Sequence, residues 1–411
     1  MSSATPRFAV PILFAVVFID LVGFGILMPL VPFYVERLGA GPELITLILA
    51  IHPLCQSLAT PLWGALSDRF GRRPILLMSM LGHAGAYLVI GFADSLWLLV
   101  LSRVLSGVTS ANLSTAFAYI TDVTTPEQRA SALGKVSAAF GLGFATGPAI
   151  GGLLAGGTDL ASANFERPAI AAAIFSFGAF LAILAFLPES LPKAARRIYA
   201  PGEKATPFGD IGRVARRPII TMMLILAIIT VTSVSVRESI FPLWGHYRIG
   251  LNARELGLVI AYSGGLVSVI QLFGIGPLAR RFGELNLVKA ALVCFAVSWS
   301  LFTIAPGLPV VMVALTVGAF GTAFFQTCMQ TLLSKRAGSA ERGVVLGVYQ
   351  STNAMGRFFG QASAGTLYGQ ISMNAPFALG AIAMLPALYL ATRISNRLQT
   401  GPQAGGPAPD S

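Results

Sequence analysis

Charge is what this sequence has least of. Only 11% of its 411 residues are Asp, Glu, Lys or Arg, against about 25% in soluble domains, and that shortfall excludes a water-soluble globular chain. Histidine and cysteine are scarce too, with three of each. Cys55, Cys294 and Cys328 lie in separate apolar runs without metal-ligand spacing. Neither a disulfide framework nor a metal site is indicated, and all three read as packing residues. The patterns H-E-x-x-H, G-x-S-x-G and G-x-x-x-x-G-K-[ST] are absent, which argues against common hydrolases and against nucleotide-driven transport, and no cofactor is implied. A signal peptide is missing as well: the run Phe8 to Tyr34 is too long for a signal core, carries Asp20 and leads straight into another helix, so it is expected to be retained as a first span.

What the sequence has instead is apolar length. Hydrophobic residues make up 55% of the chain and mean hydropathy is +0.74. Segments of roughly 20 apolar residues, enough to cross about 30 Å of hydrocarbon, recur along nearly the whole chain. Backbone groups in lipid must be satisfied internally, and long runs without alternation favour helices over a barrel. The expected fold is an all-α, polytopic membrane protein with helices over 8–34, 43–66, 74–93, 96–120, 131–156 and 167–187, then 218–245, 253–279, 285–305, 308–333, 342–369 and 373–393. Residues 1–187 and 218–393 read as two six-helix bundles, 188–217 as a cytoplasmic linker and 394–411, rich in Gly and Pro, as a disordered tail.

Between the second and third runs lies a charged island, Gly64-Ala-Leu-Ser-Asp68-Arg69-Phe-Gly71-Arg72-Arg73-Pro74. Gly71 permits the positive φ of a tight turn, Pro74 suits the first turn of the next helix, and three arginines mark a cytoplasmic loop. With the N-terminus inside, Arg37, Arg167, Arg248 and Arg254 fall outside and Arg103, Arg237 and Arg357 fall within helices. The remaining basic residues are then cytoplasmic, as are both termini. The net charge of +11 is concentrated in the linker, at Lys193, Arg196, Arg197, Lys204, Arg213, Arg216 and Arg217. That placement points to anionic membrane lipids and not to nucleic acid.

The island has a degenerate twin, Gly276-Pro-Leu-Ala-Arg280-Arg281-Phe-Gly283. In nearly the same register, Arg129, Leu133 and Gly134 return as Arg342, Leu346 and Gly347. A duplication follows, and parallel repeats of this kind place a substrate site between the halves near mid-membrane.

These residues carry a resemblance. The island is similar to the signature loop of the major facilitator superfamily, Arg103-Val-Leu-Ser-Gly107 matches a second motif in the fourth helix, and Gly147-Pro148-Ala-Ile-Gly151-Gly152 resembles the proton-antiporter motif of the fifth. Asp20 to Pro32 in the first helix is similar to the drug/proton antiporters, tetracycline exporters above all. The resemblance implies a 12-helix transporter with no enzymatic activity. It also implies that Asp68, Arg69, Arg72, Arg73 and Asp122, with Gly64 and Gly71, form a gating charge cluster, and that the fifth helix lies at the interface of the halves. Tetracycline exporters carry an acid where this chain has Ala86 and a histidine where it has Val267, which argues against tetracycline itself.

Asp20 lies about twelve residues, roughly 18 Å, into its helix, where a carboxylate is costly and suited to binding and releasing protons. Arg103 enters from the opposite face, roughly 10 Å deep, so an Asp20–Arg103 pair serving proton coupling is expected; the alternative is a fixed ion pair or a backbone cap. Gly143, Gly147 and Gly151 recur every four residues and allow close helix approach, with Gly152 beside them and Pro148 adding a kink. Arg237 and Glu238 are not expected to be each other's partners, being adjacent. Glu238, Gln326, Gln330, Gln350, Asn353 and Arg357 are candidates for contacting substrate, the four amides equally for joining helices. His52 and His83 read as satisfied packing residues, with proton carriage the alternative. The expected function is a proton-coupled exporter of small amphipathic organic compounds, monomeric, in a bacterial inner membrane. A proton symporter or facilitator is the alternative, and a membrane-embedded enzyme the reading from another class.

Overall fold

The computed structural model describes residues 9–156, 163–192, 196, 214, 216–337 and 342–400. Twelve helical rods follow one another. In the first half they are α1 (Ala9–Leu27 continuing as Val31–Arg37), α2 (Pro42–Phe70), α3 (Arg72–Gly91), α4 (Leu96–Val108 continuing as Asn112–Val123), α5 (Pro126–Ala155) and α6 (Glu166–Phe186). In the second they are α7 (Pro218–Ile249), α8 (Ala253–Phe282), α9 (Glu284–Ile304), α10 (Leu308–Arg336), α11 (Arg342–Thr366 with a π turn at Leu367–Ile371) and α12 (Ala375–Thr400). Among the described residues nine helices are long and apolar enough to cross a membrane. Both pieces of α4 are too short by themselves, and α11 carries Gln350, Asn353, Arg357 and Gln361.

The rods differ from expectation where local chemistry overrides hydropathy. The first is interrupted at Met28–Leu30, because Pro29 and Pro32 supply no N–H and their rings crowd the carbonyls one turn back. The fourth is interrupted at Thr109–Ala111, where Thr109 Oγ1 and Ser110 Oγ donate to the carbonyls of Leu105 and Ser106 at 2.8 and 2.7 Å, a side-chain competition that weakens a helix locally. The last helix runs to Thr400, so residues 394–400 are helical and not part of a disordered tail. The sequence reading stopped where apolar periodicity stopped, although Arg393, Asn396 and Arg397 carry the helix on. Residues 401–411 and most of the linker, including Lys193, Arg197, Lys204 and Arg213, lie outside the described residues.

Packing follows the duplication. Across the seam between halves, α5 packs on α8 and α11 packs on α2; the repeat maps α2 onto α8 and α5 onto α11, so it exchanges one contact for the other. Within each half one glycine helix lies against the first helix. A methyl at Gly143 or Gly147 would stand 2.8 Å from Leu21 Cβ or 2.7 Å from Gly25 Cα on α1, and one at Gly356 would stand 3.1 Å from Val231 on α7. The hydrogen bonds and glycine approaches that cross the seam run from mid-bundle to the end carrying the α1–α2 loop. They include Arg357 Nη2 to Gln56 Oε1 at 2.9 Å, Gly365 N to Thr46 Oγ1 at 2.9 Å, and the Tyr247 hydroxyl to Glu36. At the opposite end Gly64, Gly276 and Gly347 face open space.

Candidate functional site

The break in α4 lies beside a polar cluster within the first bundle. Asp20 on α1 meets His83 on α3, Oδ1 to Nδ1 at 2.7 Å, with only 14% of the Asp20 side chain exposed. His83 Nε2 donates to the Ser106 carbonyl on α4 at 3.1 Å and reaches Ser110 Oγ at 3.3 Å. Asn112, the first residue after the break, brings its amide within 3.3 Å of Nδ1. Ser79 braces the break itself: its hydroxyl donates to the Thr109 carbonyl and accepts from Ala111 N at 3.2 Å. His83 is thus a buried imidazole bonded through both nitrogens within a polar network. His52 joins the same network through Ser106 Oγ at 3.0 Å and lies against Phe24 with ring centroids 5.5 Å apart.

The expected Asp20–Arg103 pair is not formed. Arg103 is 6% exposed, and its Nε and Nη2 are buried with no hydrogen-bond partner. It lies three residues before Ser106, on the same face of α4, and its carbonyl accepts from Ser106 Oγ at 3.2 Å. Depth placed both charges at one level; the histidine that takes the carboxylate instead could not be placed by depth alone.

The island is a turn built on Gly71, whose φ of 109° ends α2 and begins α3. Arg72 is its hub: the guanidinium reaches Asp68 at 2.5 Å, Ser67 Oγ at 3.0 Å and Asp122 at the end of α4 at 3.0 Å. Arg69 and Arg73 stand outside this ion cluster. Arg69 lies over the Phe70 ring, and Arg73 donates to the Leu184 carbonyl at 2.6 Å. Sequence reasoning missed Glu189, just past α6, whose carboxylate accepts from Arg72 N at 2.8 Å and Arg73 N at 3.3 Å. Those are orphan donors at the start of α3, where negative charge is favoured. Ser190 completes the cluster, donating to Asp122 at 3.0 Å. Gly64 makes no close approach, so the structure gives it no part in this contact.

The antiporter-motif glycines divide between two neighbours. Gly143, Gly147 and Gly151 pack on α1, within the bundle, while Gly152 and the Pro148 carbonyl meet Ala253 and Gly257 of α8. The fifth helix therefore serves both the bundle and the seam. In the second half Arg237 Nη2 and Glu238 Oε1 do approach each other, at 3.5 Å; long flexible side chains can fold along the helix although their Cβ atoms diverge. Arg357 bonds to Gln56 across the seam. Gln326 accepts from Gln271 at 3.3 Å and so joins α10 to α8, whereas Asn353 Oδ1 is buried without a partner. Gln330 and Gln350, on α10 and α11, are drawn into none of these contacts. Among the described residues no cluster of His, Cys, Asp or Glu could hold a metal ion.

The model of the Major Facilitator Superfamily matches residues 13–274 and 239–410. The tetracycline resistance protein, class C, of Escherichia coli is 31% identical over 346 residues, 82% of this chain and 84% of that protein. Multidrug resistance protein 2 of Bacillus subtilis (strain 168) is 25% identical over 380 residues, 92% and 93% of the two chains. In three dimensions the human organic anion transporter MFSD10 superposes with a TM-score of 0.74 at 24% identity, covering 95% of this chain and 100% of its own, a likeness that concerns the fold. Twelve helices in two related halves, a charge cluster on the α2–α3 turn and these matches identify the chain as a multi-pass membrane transporter that belongs to the major facilitator superfamily.

Proposed function

We propose that this transporter is a proton-coupled exporter of small amphipathic organic compounds, working by alternating access in a bacterial inner membrane with both termini in the cytoplasm. The observation that carries the reading is Asp20, a carboxylate within the bundle whose close partner is an imidazole and not a permanent cation. A carboxylate held by an arginine stays ionised, whereas one held by an imidazole shares a group that also titrates. That is the property a proton-driven carrier needs. The names of the curated relatives, tetracycline resistance and multidrug resistance proteins, favour export of organic compounds. The residues Ala86 and Val267 favour a substrate other than tetracycline.

Alternating access draws support from the seam. With the N-terminus inside, the tight end at Glu36, Thr46, Tyr247 and Gly365 is the extracytoplasmic one, and the open end at Gly64, Gly276 and Gly347 is the cytoplasmic one. Closing it would bring the Asp68–Arg72–Asp122 end of the first half toward the second, which gives that cluster its gating role. Glu238, Arg357, Asn353, Gln330 and Gln350 are the second-half side chains offered to substrate, and Asn353 Oδ1 is buried without a partner.

The test is export into everted membrane vesicles, screened against a panel of dyes, drugs and metabolites. Accumulation of at least one compound should require a proton gradient, collapse on adding a protonophore and vanish in Asp20→Asn. Gradient-independent accumulation, or wild-type coupling in Asp20→Asn, would refute the reading.

A further inference from the structure

Resting on the exporter reading, we propose that His83 is the second half of a shared-proton site with Asp20.

Hydrogen-bond chemistry restricts the protonation states. A backbone carbonyl only accepts, so His83 Nε2, 3.1 Å from the Ser106 carbonyl, carries a hydrogen. The 2.7 Å contact of Nδ1 with Asp20 Oδ1 then requires one further proton between those atoms. That proton belongs either to Nδ1, making imidazolium and carboxylate, or to the carboxyl, which donates to a bare Nδ1. Both arrangements have the same heavy-atom geometry and are neutral as a pair. When the proton is lost to water, the imidazole keeps one hydrogen: on Nε2 it leaves a carboxylate facing a bare Nδ1, and on Nδ1 it keeps Asp20 but turns a bare Nε2 to the Ser106 carbonyl. Either way one of the two contacts of the loaded ring becomes repulsive.

Each bare nitrogen has a donor within reach. Nδ1 can accept from the Asn112 amide at 3.3 Å and Nε2 from the Ser110 hydroxyl at 3.3 Å; in the loaded state the Asn112 amide can instead turn its oxygen, now without a partner, toward the ring. While loaded, the ring ties α3 to α1 through Asp20 and to α4 through the Ser106 carbonyl. On unloading it loses one of those ties, beside the break at Thr109–Ala111. That couples proton release to a change in helix packing.

The surroundings contain few other charges. Around His83, α1 supplies Asp20, α2 supplies His52 through Ser106 Oγ, α3 supplies Tyr87 with its ring 6.0 Å away, and α4 supplies Arg103. On α6, Ser176 faces the neighbouring Gly23 and brings no charge.

The chain has three histidines, His52, His83 and His246, so nitrogen-15 histidine spectra of the full-length protein in lipid nanodiscs can be assigned with His83→Gln. The expected result is a His83 Nδ1 signal that moves with pH in wild type as one proton is lost, with the movement absent in Asp20→Asn. A His83 signal that ignores pH, or titrates alike in both proteins, would overturn the shared site. In everted vesicles His83→Gln should lose proton-driven export. Normal coupling in His83→Gln together with loss in Asp20→Asn would overturn the role of His83 and leave the exporter reading standing. Absence of proton-driven export in wild type would overturn the exporter reading while the spectra still decide the pair.

Discussion

The two halves keep one geometry and reverse its charges. Arg72, the first residue of α3, pairs with Asp122, the penultimate residue of α4; Glu284, the first residue of α9, pairs with Lys335, the penultimate residue of α10. Asp68 and Arg280 occupy the same place, third from the ends of α2 and α8, and Gly71 and Gly283 close both turns with positive φ, 109° and 79°. Helix electrostatics rank the two arrangements. An acid at a helix start and a base at a helix end suit the macrodipole, so the Glu284–Lys335 pair is locally favourable. Arg72 and Asp122 have the unfavourable order, and Glu189 offsets it by capping α3. The second half pairs its helix ends in the order local electrostatics favours, whereas the first holds a cluster that local electrostatics alone would not choose, which suits the gating role proposed for it.

The comparison can be broken by removing each part. Arg72→Ala leaves Asp68, 44% exposed, and Asp122 without their cation and should cost about 1–3 kcal/mol, with near-complete loss of transport and a lower melting temperature by scanning fluorimetry. Gly365→Ala puts a methyl 2.6 Å from Glu43 Cα across the seam, an overlap worth roughly 1–3 kcal/mol. It should loosen the closed end and raise solvent labelling of a cysteine introduced at Thr46, while Gly64→Ala, in open space, should change nothing. Glu189→Gln keeps the shape and removes the charge at the start of α3, a loss of about 1 kcal/mol or less, read as partial loss of transport with normal expression. Lys335→Ala, at a residue 61% exposed, should stay within about 1 kcal/mol of wild type with unchanged flux. If Lys335→Ala proved as damaging as Arg72→Ala, the halves would be equivalent and the asymmetry wrong.

Most of the scaffold was legible because hydropathy and loop charge are one-dimensional signals. The twelve helices, the duplication through Gly64 and Gly276, and the charged turn at Gly71 all come from spacing along the chain. The site was legible only in part. Asp20 announces itself as a carboxylate in an apolar run, but a single His83 in another apolar run looks like packing until tertiary structure sets it against Asp20. Glu189 lies beyond its helix, where no periodicity marks it. The replacement of Asp68 by Arg280 is legible in the islands, but the reversed pairs Arg72–Asp122 and Glu284–Lys335 were hidden because they bridge helices far apart in sequence.

The central claim is that proton coupling resides in the first half and substrate contact in the second. Purified wild type, Asp20→Asn and Glu238→Gln in proteoliposomes separate the two through proton-driven accumulation and gradient-free exchange of one exported compound. Asp20→Asn should lose accumulation and keep exchange, and Glu238→Gln should weaken both while what remains stays proton-driven. Wild-type accumulation by Asp20→Asn would contradict the claim.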